Sequence, residues 1–181
     1  LNHCVTGEQR WRDIVDAYWK SAVTERDAYA TGSQTCGEIW TPPGELAARL
    51  GDKNQEHCVV YNMMRLADYL IRWTGDVTYA DYWERNLYNG ILAQQHPDTG
   101  MIAYFLPLQG GAVKNWGSPT EDFWCCHGTL VQAHAIHNQQ HATGFEAADD
   151  RASAAHLAAL HVRQTAVLQQ VRRGLLVEQC D

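Results

Sequence analysis

A chain of 181 residues is long enough for one domain with a substantial apolar core. Its net charge of −7, with lysines and arginines scattered along the chain, excludes the clustered basic face that a nucleic-acid partner requires. No apolar run approaches the roughly 20 residues of a membrane span, so a spanning helix is excluded as well.

The chain opens on Leu1, enters a helix almost at once and shows no signal peptide, so it reads as a piece whose start lies upstream. Residues 8–23 carry Trp11, Ile14, Val15, Tyr18, Trp19 and Ala22 at helical spacing, which predicts an amphipathic helix. The loop "ATGSQTCGEIWTPPGE" follows at 30–45. A second helix is predicted from Val60 through Met63, Met64, Ala67, Leu70 and Ile71, and a third from Tyr79 through Tyr82, Trp83, Leu87 and Ile91. "MIAYFLPL" at 101–108 is the best strand candidate, as one arm of a small hairpin. A further loop, "GGAVKNWGSPTED" at 110–122, leads to a fourth helix after Gly128, with Leu130, Val131 and His134 inward.

One internal repeat stands out. "TGEQRWRD" at 6–13 resembles "TGDVTYAD" at 74–81, 68 residues further on. In both, Thr-Gly-acid precedes an aromatic and an aspartate; the acid can cap a helix start and the aromatic can pack inward. Repeated helical hairpins of this length suggest a mainly α fold, a toroid of paired helices around a central cleft with a minor β-hairpin. From about His141 the aromatics disappear and Ala, Gln and Arg take over. Residues 141–181 therefore read as a divergent or out-of-frame tail, apart from a domain at 1–140.

Six cysteines at 4, 36, 58, 125, 126 and 180 do not show the spacing of a compact disulfide framework. In "DFWCCHGT", Cys125 and Cys126 are neighbours, an arrangement suited to metal ligation or nucleophilic chemistry. In "NQEHCVVYN", Glu56 and Cys58 are two apart. Within a helix that spacing turns them about 200° from each other. At a helix entrance both can point one way, and a thiolate there is stabilised by the helix N-terminus. Three thiols and one carboxylate would make a tetrahedral Zn²⁺ site from Glu56, Cys58, Cys125 and Cys126. The competing reading makes Cys58 a small buried hydrophobe and the cysteine pair incidental. Cys4, Cys36 and Cys180 are expected to stay out of such a site. Glu38 lies in the Gly- and Pro-rich loop near Trp40. A glutamate against an apolar ring can act as a proton donor, although most loop glutamates are simply solvated. The seven tryptophans and eight tyrosines suit a carbohydrate cleft and a large helical core equally well.

Taken in order, "GE" at 37–38, "EHC" at 56–58, "YFLPL" at 104–108 and "WCCHGT" at 124–129 resemble glycoside hydrolase family 127, the β-L-arabinofuranosidase group. The stretch "TGDVTYADYWERNLYNGIL" at 74–92 is similar to the family's helix between the two metal half-sites. The resemblance covers roughly residues 1–140. It implies that Glu56, Cys58, Cys125 and Cys126 are zinc ligands, that Cys125 is also the nucleophile, that Glu38 is the general acid/base, and that Tyr104 lies near the sugar. It implies a carbohydrate substrate and an (α/α)6 barrel, of which this chain would be the second half. The more familiar members follow the cysteine pair with Pro-Pro-Asn; here His127, Gly128 and Thr129 stand instead, which implies a different branch.

The implied chemistry is physically coherent. A retaining glycosidase needs a nucleophile on one side of the anomeric carbon and an acid on the other. Zinc keeps a coordinated thiol deprotonated at neutral pH. Two rivals stand beside it: a structural zinc clamp without catalysis, and a dithiol redox protein using Cys125 and Cys126. Should Glu38 not be the acid, Glu45 and Glu121 are the next loop carboxylates. Reduced thiols fit a cytoplasmic setting, but these motifs do not encode compartment or oligomeric state.

Overall fold

The computed structural model describes residues 2–143, with the side chains of residues 3 and 5–135. Residues 1–135 form one compact unit. Of the second unit, Ile136–Asp181, only the backbone of one helix end lies among the described residues, so the expected divergent tail at 141–181 lies almost wholly outside them. Helices α1 (Asn2–Thr6), α2 (Gln9–Trp19), α3 (His57–Thr74), α4 (Thr78–Asn86) and α5 (Cys125–Thr143) make the described part mainly α. A small antiparallel sheet of β1 (Thr35–Cys36), β2 (Ile39–Trp40), β3 (Asn54–Glu56) and β4 (Phe105–Leu106) is ordered β2-β1-β3-β4. No described helix is long and apolar enough to cross a membrane.

The helical core forms where the apolar stripes of α2, α3 and α4 face one another. Trp19, Ala22, Met63, Ala67, Leu70 and Tyr82 are buried together, with Val15, Trp40, Tyr79 and Trp83 packed around them. The rings of Tyr79 and Tyr82 meet Trp19 edge-on at 5.2 and 4.8 Å. The stripe of α2 is narrower than its sequence suggests. Ile14 and Tyr18 are exposed, because the buried set runs through Val15, Trp19, Ala22 and Val23, one position around the helix. Leu130 is buried on α5 as expected, whereas Val131 faces solvent.

The internal repeat is a helix stop followed by a helix start. Gly7 and Gly75 both have φ +71°, a left-handed conformation that glycine adopts without the Cβ clash of other residues. Their N–H groups reach back to the carbonyls of His3 (2.9 Å) and Ile71 (2.8 Å), closing α1 and α3. Glu8 N–H then donates to Thr6 Oγ1 at 3.2 Å and Asp76 N–H to Thr74 Oγ1 at 3.1 Å. The copies part at the acid. Asp76 Oδ1 accepts from the Thr78 N–H at 2.9 Å, but the longer Glu8 carboxylate turns to Arg10 at 3.2 Å and caps nothing.

The strand expectation needs correction. "MIAYFLPL" forms a strand only at Phe105–Leu106, paired with β3, while its start pairs antiparallel with residues 94–96 through an isolated bridge of Ile102 to Gln95. A hairpin of two named strands lies in the stretch read as a loop at 30–45. There β1 and β2 pair Thr35 with Trp40 and Cys36 with Ile39 around a two-residue connection, Gly37–Glu38. Gly37 has φ +63° and Glu38 does not have a positive φ, the pattern of the tight hairpin turns that need glycine first. Helix α4 also ends earlier than its period suggests. It continues as a π turn at Leu87–Ile91 and a 3₁₀ turn at Leu92–Gln94.

Candidate metal and catalytic centre

The elements converge on one cluster. Glu56 ends β3, Cys58 is the second residue of α3, and Cys125 and Cys126 are the first two residues of α5. Two helix N-termini therefore deliver the three thiols, and their partial positive charge favours thiolate. The irregular entrance into α3 also lets Glu56 and Cys58 share a target. A donor atom from each of Glu56, Cys58, Cys125 and Cys126 lies within 4.8 Å of all the others. Four ligands held at about 2.3 Å in a tetrahedron stand about 3.8 Å apart, so the donor set fits a small divalent cation. Three soft sulfurs with one oxygen suit zinc best among common cations. Cys58 Sγ approaches Cys126 Sγ at 3.4 Å and Thr129 Oγ1 at 3.3 Å.

Burial works against ionisation of Glu56, Cys58 and Cys126 on their own. Desolvation pushes the Cys58 thiol up to about 11 and the Cys126 thiol further still. Burial, and after it the charge of Glu38, holds the Glu56 carboxyl above its ordinary range. A bound cation would favour the anionic form of this cluster at neutral pH.

Glu38 and Tyr104 sit against this cluster. The tip of the β1–β2 hairpin carries Glu38 to the Tyr104 hydroxyl, which donates to Glu38 Oε1. The same hydroxyl lies 3.2 Å from Cys125 Sγ. Desolvation, reinforced by Cys125 and Glu38, keeps Tyr104 protonated far above the usual phenol range. Trp40 has a different place: its ring packs on the helical core, 6.3 Å from Tyr18. The aromatic partner of Glu38 is Tyr104. Glu45 is exposed and paired with Arg49 at 3.4 Å, and Glu121 is exposed in its loop. Cys36 lies in β1, paired with Ile39 and Asn54, and is not part of the four-residue cluster. The side chain of Cys4 and all of Cys180 lie outside the described residues.

Sequence reasoning missed the groups that hold this centre in place. His57 is fully buried, and desolvation lowers it to about 4, so it is neutral. It donates from Nδ1 to Gln94 Oε1 at 3.2 Å. The His127 ring accepts from the Trp124 N–H at 3.1 Å and caps the start of α5 just before the cysteine pair. Thr129 Oγ1 lies within 3.3 Å of both the Cys125 and Cys126 carbonyls. The one available signal was a polar residue on an inward face: Gln94 falls three residues after the buried Ile91.

The family model for the β-L-arabinofuranosidase GH127 catalytic domain matches residues 2–139. The comparison with curated proteins found no match.

Proposed function

This chain belongs to the GH127 β-L-arabinofuranosidase catalytic-domain family, and from that membership we propose a retaining glycosidase that releases L-arabinofuranose-type sugars from glycans. Its helical pairs would be part of an (α/α)6 barrel. The observation that carries the reading is the Tyr104 hydroxyl, which touches both Glu38 and Cys125. Two hydrogen bonds end to end span at most about 6 Å. That bound accommodates the roughly 5–5.5 Å between acid and nucleophile in retaining enzymes and falls short of the roughly 6.5–9.5 Å of inverting ones.

Glu56, Cys58, Cys125 and Cys126 would hold a zinc ion. When bound, zinc supplies the charge that keeps these thiols deprotonated at neutral pH. In the first step the Cys125 sulfur forms a bond to the anomeric carbon as the glycosidic C–O bond breaks. Glu38 gives its proton to the departing oxygen. In the second step the Glu38 carboxylate takes a proton from water, the water oxygen bonds to the anomeric carbon, and the C–S bond breaks to return the thiolate. Tyr104 has one proton for two anions. It can serve the Cys125 sulfur while Glu38 is protonated and Glu38 once that proton has gone. A purely structural zinc clamp would leave the Glu38–Tyr104–Cys125 contact without a use.

The test is metal analysis of the full-length enzyme together with hydrolysis of β-L-arabinofuranosides, followed by NMR of the first-formed product. Bound zinc and a product of retained configuration are expected. A first-formed product of inverted configuration would exclude Cys125 as nucleophile.

A further inference from the structure

The two halves of the centre come from distant segments, and one side chain ties them together. Gln94 is fully buried at the end of the 3₁₀ turn that follows α4. Its Nε2 lies 3.2 Å from the Gln55 carbonyl, 3.2 Å from the Ala103 carbonyl and 3.0 Å from the Tyr104 carbonyl. Its Oε1 faces Gln55 Nε2 at 3.3 Å and His57 Nδ1 at 3.2 Å. The main chain repeats the link, with the Ala103 N–H donating to the Gln94 carbonyl at 2.8 Å.

Each partner is next to a residue of the proposed chemistry. Gln55 and His57 flank Glu56, and His57 precedes Cys58. Ala103 precedes Tyr104, whose hydroxyl touches Glu38 and Cys125. Gln55 has φ +53°, uncommon for a residue with a Cβ, and it interrupts the pairing of β3 with β4. Gln94 holds this residue from both its carbonyl and its side chain. The π turn before Gln94 brings Gly90 against Gln55 so closely that a Cβ at Gly90 would stand 2.4 Å from Gln55 Nε2.

We propose that Gln94 is a positioning residue that fixes the Ala103–Tyr104 segment against the Glu56–Cys58 segment and thereby sets the alignment of Glu38 and Cys125; this rests on the glycosidase reading above. No shorter or apolar side chain does the same work. Asn is one methylene too short to reach both segments, and Leu fills similar space with no donor or acceptor.

The test uses Gln94→Leu in the full-length enzyme, beside Leu70→Ala as a control of comparable destabilisation. Leu70 is buried in the helical core, twelve residues along α3 from Cys58, roughly 18 Å away at 1.5 Å per residue. Both are assayed well below their melting temperatures, per bound metal ion, and both are loaded with Co²⁺ to read the thiolate-to-metal charge-transfer band. Gln94→Leu is expected to lower kcat about 10-fold or more, within the usual range for residues behind a metal site, and to shift the cobalt band. Leu70→Ala is expected to change neither. If Gln94→Leu does not fold, Gly90→Ala, which displaces Gln55, should give the same two changes at smaller size. Wild-type kcat and cobalt band in whichever of these variants folds overturns the inference alone. A wild-type enzyme with neither thiolate-bound metal nor glycosidase activity overturns it together with the proposed function.

Discussion

Glu38 and Cys125 share one phenol, and the proposed mechanism gives them different tasks that substitution separates. Glu38→Gln leaves the Glu56–Cys58–Cys125–Cys126 cluster whole and would remove the proposed proton donor. Turnover on natural linkages is expected to fall 10²–10⁴-fold, with zinc content unchanged. An aryl glycoside with a good leaving group should escape part of that loss in the first step, because its oxygen needs little protonation. Cys125→Ser would remove the proposed nucleophile, so no activated substrate should rescue it. Burst-phase kinetics on the aryl glycoside check both variants. Normal turnover of natural linkages by Glu38→Gln would make Glu38 an ordinary hairpin carboxylate hydrogen-bonded to a tyrosine.

At the scale of elements, the site depends on where helices begin and end. Helix α3 starts at the Glu56–Cys58–Cys125–Cys126 cluster and is closed 18 residues later by left-handed Gly75. Between them Val60, Met63, Met64, Ala67 and Leu70 seat it on the core. Gly75→Ala forces a Cβ into the left-handed region and should cost about 1 kcal/mol, read as a small loss of melting temperature. Because Gly75 lies at the far end of α3, kcat should not change. A lowered kcat at unchanged zinc content would show that the helix end steers the site. The turns after α4 act in the opposite way. The widened turn at Leu87–Ile91 and the tighter one after it re-aim the chain so that Gln94 faces inward, where a continued α-helix would place it differently.

For the molecule as a whole, a bound cation would join segments that are far apart in sequence. Cys58 and Cys126 are 68 residues apart yet meet at 3.4 Å. Closing such a loop is entropically costly, and a ligand that binds only the folded state offsets that cost by mass action. Removing the metal with a chelator is expected to lower the melting temperature, by up to about 4 kcal/mol of stability for free zinc at a thousand times its dissociation constant. Readdition should restore it. A melting temperature indifferent to chelator, in protein shown to carry zinc beforehand, would mean that the cluster is held by packing alone.

The sequence by itself determined much of this protein. The apolar stripes of α3 and α4, the helix starts at the repeat, the four cluster residues, and Glu38 with Tyr104 could all be named from residue type, spacing and family resemblance. These are local signals: helical period and a thiol at a helix entrance. Only the tertiary structure decided that the 30–45 loop folds into the hairpin presenting Glu38, that Trp40 packs on the helical core, and that Tyr104 spans acid and thiol. It alone showed Gln94 at the junction. The physical reason is that strands of two or three residues carry no period to read. A buried glutamine is likewise indistinguishable from a surface one until the carbonyls it satisfies are brought together from both sides.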